Sequence, residues 1–171
     1  MDFRIQSAGP QHFSQLRNIE LQAFRTLLAA GAVRGVPVAS SDEDLMHFFD
    51  QGLLFAAFDL AGRPVGYVGG YETEDGAVHV AEMDVDPDMQ RRGIGRCLMQ
   101  TMIEQARLRG VATVTLTTDR LADFNAPFYA KLRFQIIEET EMPARLTQLL
   151  REEVAKGLDP ARRCAMEMVL S

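Results

Sequence analysis

Met83-Asp84-Val85-Asp86-Pro87-Asp88-Met89-Gln90-Arg91-Arg92-Gly93-Ile94-Gly95-Arg96 takes the chain from a strand through a polar turn into a helix. Upstream, Ala77–Val85 reads as a strand, and Asp86-Pro87 stops it. Downstream, Ile94, Leu98, Met102, Ile103 and Ala106 recur at helical spacing over residues 91–109, with Gly110 as the stop. The first N–H groups of such a helix lack intrahelical acceptors, and its macrodipole places about half a positive charge there. Gly93 and Gly95 let an anion approach the backbone, and Arg91, Arg92 and Arg96 add formal charge. The turn reads as a cradle for a pyrophosphate.

Two nucleotide motifs do not fit it. A dinucleotide turn needs G-x-G-x-x-G directly after its strand, but Leu98 holds the third glycine position and Pro87-Asp88-Met89 intervenes. A P-loop needs Gly-Lys followed by Ser or Thr, which this stretch lacks.

Toward the N-terminus, Phe3–Ser7 reads as a short strand. Pro10 opens a helix whose Phe13, Leu16, Ile19, Ala23 and Phe24 share one face. Residues 31–38 break into a loop. Ser41 then caps a helix with Asp42, Glu43 and Asp44 in its first turn and Leu45, Phe48 and Phe49 as core. Residues 53–59 and 65–71 form a hairpin. Toward the C-terminus, residues 113–118 are a β-branched buried strand and residues 125–132 a short helix. A strand over 134–138, a helix from Pro143 to near Gly157 and a last strand over 164–170 follow. This order specifies an α/β (α+β) fold: a mixed, mostly antiparallel sheet of six to seven strands flanked by helices, within one domain spanning residues 1–171.

Gln90-Arg91-Arg92-Gly93-Ile94-Gly95, preceded by Met83-Asp84-Val85-Asp86-Pro87, resembles the acetyl-CoA signature of the GNAT N-acetyltransferase superfamily. Asn125-Ala126-Pro127-Phe128-Tyr129-Ala130-Lys131-Leu132-Arg133-Phe134 resembles that family's second signature. One position departs from it. The family has glycine after the leucine, where the chain ends a helix in a left-handed conformation that costs other residues about 1–2 kcal/mol. Here that residue is Arg133.

The resemblance implies a GNAT-like fold and acetyl transfer from acetyl-CoA to a primary amine of a small molecule or peptide, by direct attack in a ternary complex and without a metal. It places backbone groups near Asp84 and Val85 along the pantetheine arm, and Arg91, Arg92, Gly93, Ile94, Gly95 and Arg96 around the pyrophosphate. Asn125 and Tyr129, four apart, share a helix face, so Asn125 would bond the arm and Tyr129 would protonate the thiolate. The bland reading makes Asn125 a helix cap and Tyr129 a packing residue.

For the base, alternation without a bulge puts His79, Ala81, Met83 and Val85 on one face and Val80, Glu82 and Asp84 on the other. His79 and Glu82 both qualify by type, and histidine is the easier base because it titrates near neutrality. Each reads equally well as a strand residue whose polar end meets solvent or backbone. Glu20, Asp42, Glu43 and Asp44 lie on the family's acceptor side, although the acid triplet is first a helix start. Cys97 reads as core. A non-catalytic acyl-CoA-binding or sensor module of the same fold is the rival reading, and the identity of the amine is not legible.

The 171 residues, 47% hydrophobic and 25% charged, exclude a largely disordered chain. A net charge of −6 argues against nucleic acid or an anionic membrane as partner and suits cationic acceptors. No apolar run suggests a membrane span, and the start lacks the pattern of a signal peptide. Two cysteines and three scattered histidines give neither a disulfide framework nor a metal motif, so cytoplasm is the expected compartment. A homodimer is compatible with these features.

Overall fold

The apolar periodicities resolve into one sheet with helices on both faces, in a computed structural model that describes residues 2–31 and 33–171. Its strands are β1 (Phe3–Ser7), β2 (Leu54–Asp59), β3 (Pro64–Glu72), β4 (Ala77–Val85), β5 (Thr113–Asp119), β6 (Gln135–Ile136) and β7 (Arg163–Val169). The helices are α1 (Phe13–Ala29), α2 (Asp42–Asp50), α3 (Ile94–Arg109), α4 (Ala126–Lys131) and α5 (Ala144–Ala155). Ala32, inside the expected loop over 31–38, lies outside the described residues, as does Met1. No helix among the described residues is long and apolar enough to cross a membrane.

The strand order is β1-β2-β3-β4-β5-β7-β6, and every neighbouring pair is antiparallel except β4–β5. That parallel pairing joins residues 77–80 to 113–116 and then ends. Residues 81–85 keep only β3 beside them, while 117–119 continue with β7. The sheet therefore opens at its middle, and one edge of residues 81–85 has no strand against it among the described residues.

On one face, α3 buries Ile94, Leu98, Met99, Met102, Ile103 and Ala106 against Val68, Val78, Val80, Val114 and Leu116. At about 1.5–3 kcal/mol per large side chain, this burial fixes the start of α3, where no side chain caps it. On the other face, α1 and α2 pack Leu16, Ile19, Leu45 and Phe48 against Leu54, Phe58 and Tyr67. Ser41 caps α2 as expected, and Asp44 returns the bond by accepting from the Ser41 N–H. Phe49 departs from its expected core position and is 41% exposed. The strand expected over 134–138 shrinks to Gln135–Ile136. Phe134 joins the α3-side core and Ile137 a separate cluster with Leu146 and Ala165, so the segment does not lie flat along β7.

The β3–β4 pairing contains a bulge. Gly69 faces Glu82 but Gly70 faces Val80, so Ala81 has no partner of its own. Gly69 and Gly70 make this packing possible. A Cβ on Gly70 would stand 2.4 Å from the His79 carbonyl oxygen, and one on Gly69 would stand 2.4 Å from the Phe48 ring.

Arg133 holds φ at +73, the left-handed conformation expected of the missing glycine. Its N–H bonds Ala130 and the Phe134 N–H bonds Tyr129, closing α4. Arg133→Gly removes about 1–2 kcal/mol of backbone strain. The freer unfolded chain takes back about 0.5–1 kcal/mol. A rise in Tm of about 2 °C is therefore expected in a thermal melt, and a lower Tm would show that the arginine side chain offsets its strain.

Candidate active site

The turn after β4 is built from local bonds. The Asp86 N–H bonds the Val65 carbonyl at 2.9 Å, and Asp86 Oδ1 accepts from the Asp88 N–H at 2.9 Å. Gln90 folds back so that Nε2 donates to the Val85 carbonyl at 3.2 Å. Arg91 (φ +62) and Gly93 (φ +84) then take left-handed conformations that turn the chain into α3. Within α3 the amides of Ile94, Gly95 and Arg96 precede the first 1→5 bond, from Cys97 N–H to the Gly93 carbonyl. Arg91, Arg92 and Arg96 are exposed around them. A Cβ at Gly95 would fill the space 3.5 Å from Phe128 and 3.6 Å from Met83. Bare backbone at this point forms the wall of a cleft.

The cleft, about 570 Å³, runs from this turn along Met83, Asp84 and Val85 of β4 to Ala23, Thr26 and Leu27 of α1. Asn125, Phe128 and Lys131 form the opposite wall. Asn125 occupies the N-cap position of α4, yet its side chain makes no capping bond, which leaves the amide free to face the cleft. Its carbonyl accepts from the Tyr129 N–H at 3.0 Å. Tyr129 is 7% exposed, held edge-on between the rings of Phe128 and Phe134 at centroid distances of 5.1 and 5.9 Å. Burial, then the charges of Asp84 and Glu82, push its phenol well above the usual range. It stays protonated at neutral pH.

Beyond the cleft floor, the bulge corrects the expected face pattern of β4. Residues on either side of Ala81 change parity, so His79, Glu82 and Asp84 share the face of Tyr71 and Tyr67, while Met83 and Val85 face α3 with Val78 and Val80. His79 is 2% exposed, with Nδ1 3.0 Å from Thr115 Oγ1. Burial, and then Arg145, lower it to about 4. The expectation that His79 is the easier base is thereby corrected: the ring is neutral but is a weak proton acceptor away from the cleft.

Glu82 and Asp84 are half-buried overall. Burial first, and then Glu20 and Asp84, raise Glu82 well above the carboxylate range. Burial and Glu20 likewise raise Asp84, to about 8, against the bond from Glu82. Asp84 Oδ2 is shielded from solvent and meets no donor among the described residues. Glu20, from α1, accepts from the Ser40 N–H at 2.9 Å and from the Tyr67 hydroxyl at 2.8 Å. One carboxylate thus has donors, and a pair beside it must share a proton.

The model of the acetyltransferase (GNAT) family matches residues 14–134. This chain belongs to that family. It is an acyltransferase of the GNAT class. A GNAT-family acetyltransferase from Staphylococcus aureus shares the fold with a TM-score of 0.74 at 14% identity over 99% of both chains. The PaiA N-acetyltransferase from Thermoplasma acidophilum, solved with coenzyme A, aligns with a TM-score of 0.73 at 13% identity, over 99% of this chain and 100% of that one. A GNAT acetyltransferase from Brucella melitensis, solved with acetyl-CoA, aligns at 0.55 with 23% identity over 78% of this chain and 82% of that one.

Within this GNAT chain, Asp84, Val85, Arg91, Gly93, Ile94, Gly95, Arg96 and Asn125 all border the cleft. Arg92, Glu82 and Tyr129 are not part of its lining. Sequence reasoning missed the Glu20–Tyr67 bond and the pairing of Glu82 with Asp84. The signal for the second was present, because adjacent glycines inside a strand mark a bulge.

Proposed function

We propose that this protein transfers an acetyl group from acetyl-CoA to a primary amine by direct attack in a ternary complex. The observation that carries the reading is one continuous path: free amides at the start of α3, an unpaired edge of β4, and a carboxyl pair at its far side. The amides of Ile94, Gly95 and Arg96 hold the pyrophosphate, with Arg91, Arg92 and Arg96 adding charge. Backbone groups at Asp84 and Val85 pair with the pantetheine arm as a missing strand would, and the uncommitted Asn125 amide bonds its other side. Gly93 is favoured by its left-handed φ, and Gly95 keeps bare backbone at the cleft wall.

Acetyl-CoA supplies the activated acyl carbon. The Glu82–Asp84 pair, carrying a single proton, accepts a second from the acceptor ammonium on its remaining carboxylate, and the neutral amine then forms the N–C bond as the C–S bond breaks. Tyr129 donates to the departing thiolate and is reprotonated from the nitrogen or solvent. Of the two protons that leave nitrogen, one ends on the thiol and the other passes through the carboxyl pair to water. The test is free-thiol release from acetyl-CoA across an amine panel, with acetyl-CoA affinity measured separately. Release with one or more amines is expected. Tight acetyl-CoA binding with no release on any amine would instead make this a binding module.

A further inference from the structure

We propose that Asp119, paired with Arg162, is a positioning residue for acetyl-CoA that fixes the segment carrying Asn125 into the cleft. The assignment rests on reading the cleft as the acetyl-CoA site. Between the end of β5 and the start of α4, residues 120–125 form neither strand nor helix. Yet this segment supplies Asp123, Phe124 and Asn125 to the cleft wall. Asn125 makes no capping bond to α4, so the aim of its side chain follows its backbone.

That backbone is anchored at one carboxylate. Asp119 closes β5 and is 1% exposed. Its Oδ1 accepts from the Leu121 and Ala122 amides, each at 2.8 Å, and from Arg162 Nη2 at 3.2 Å. Its Oδ2 accepts from Arg162 Nε at 2.7 Å. The Arg162 carbonyl in turn accepts from the Arg120 N–H at 2.6 Å, so Arg162 grips the segment through backbone and side chain alike. From Ala122 the bonds run inward. Its carbonyl accepts from the Asn125 N–H at 2.9 Å, and the Asn125 carbonyl accepts from the Tyr129 N–H at 3.0 Å. A short relay thus joins the buried carboxylate to the residue that faces the pantetheine arm.

Burial acts to raise the Asp119 carboxyl, but Arg162 and then the Ala122 and Leu121 amides outweigh it and hold the group below the usual carboxylate range. The carboxylate is therefore charged at neutral pH with its donors in place. An apolar pair of the same volume would serve stability as well as a buried ion pair does. It could not hold two successive amides and a guanidinium plane at fixed angles, which is what a cleft wall without regular structure needs. The opposite wall keeps its own bonds at Asp86 and Gln90, so losing Asp119 should weaken the site without abolishing it.

The test is calorimetric acetyl-CoA binding, well below each variant's Tm, together with steady-state kinetics. Asp119→Asn keeps an oxygen for the Leu121 and Ala122 amides but turns an NH2 toward the Arg162 guanidinium. Kd and KM for acetyl-CoA are expected to rise about tenfold, and kcat to fall no more than about threefold. The split arises because the Tyr129 ring keeps its contacts with Phe128 and Phe134. Asn125→Ala should weaken binding about tenfold, and adding Asp119→Asn to it should cost no more than about a further twofold, since both act through one contact. Arg162→Gln leaves the bonds from Asp119 to the segment and should raise Kd about threefold, which carries the test if Asp119→Asn does not fold. Wild-type Kd in Asp119→Asn, or in Arg162→Gln where it alone folds, overturns the assignment even if Tm falls. So does wild-type Kd in Asn125→Ala, or a full tenfold loss from Asp119→Asn on that background, because Asp119 would not then act through Asn125. A wild-type protein that fails to bind acetyl-CoA would instead remove the cleft reading beneath it.

Discussion

Tyr129→Phe is expected to lower kcat about a hundred- to a thousandfold while leaving acetyl-CoA affinity within about twofold. The two effects separate because the substitution removes one oxygen and nothing else. The ring is held edge-on by Phe128 and Phe134, and a phenylalanine fills the same space. Cleft-lining groups, not the buried phenol, surround the proposed cofactor path. The phenol is a weaker acid here than in water, raised by burial and by Asp84 and Glu82, while a thiol titrates near 8.5. Proton donation must then accompany C–S cleavage instead of preceding it. An acceptor ammonium beside Glu82 and Asp84 offsets the negative charge of that pair, which adds to burial in holding the phenol up, so the acid strengthens once the acceptor is seated. Steady-state kinetics together with calorimetric acetyl-CoA binding provide the check. Wild-type kcat in the variant would remove Tyr129 from the chemistry.

The parts of this site that were legible in sequence are those fixed by a single segment. The Gln90–Gly95 turn needs only glycines, a helix start and arginines, and the structure places its free amides on the cleft. Ile94, Leu98, Met102, Ile103 and Ala106 show their spacing because α3 packs one stripe on one face. What escaped depends on two segments at once. The face of Glu82 relative to His79 is set by how β4 pairs with β3, and an alternation rule applied to β4 alone carries no register information. His79 looks like a neutral-pH base by type, yet Thr115, Tyr71 and Arg145, from three other elements, make it a buried ring. Glu20 sits among acids of the acceptor side, and only the folded chain brings Ser40 and Tyr67 to it. Asn125 has the sequence of a helix cap, and only the geometry frees its side chain.

Gly70→Ala tests that register at its most sensitive atom. The new methyl would stand 2.4 Å from the His79 carbonyl oxygen, a backbone atom that cannot rotate away. Gly70 is also tied on its other side, its N–H bonding the Leu53 carbonyl at 3.0 Å, so β3 cannot simply retreat. The strands must separate at the bulge or abandon it. Separation costs about 2–3 kcal/mol, a fall in Tm of about 5–10 °C. Abandoning the bulge shifts β4 by one residue, which would carry Glu82 and Asp84 to the α3 face and bring Met83 and Val85 to the acceptor side. Either response moves the carboxyl pair by more than the fraction of an ångström that proton transfer tolerates, and kcat is expected to fall about a hundredfold. The turn at Gly93 follows β4 and keeps its own bonds, so acetyl-CoA affinity should fall far less than kcat. Gly69→Ala is the control, since its methyl meets the Phe48 side chain and no backbone atom, so the register should survive while packing against α2 is lost. Equal effects of the two substitutions on kcat would mean that packing under Phe48, and not the bulge, sets the position of Glu82 and Asp84.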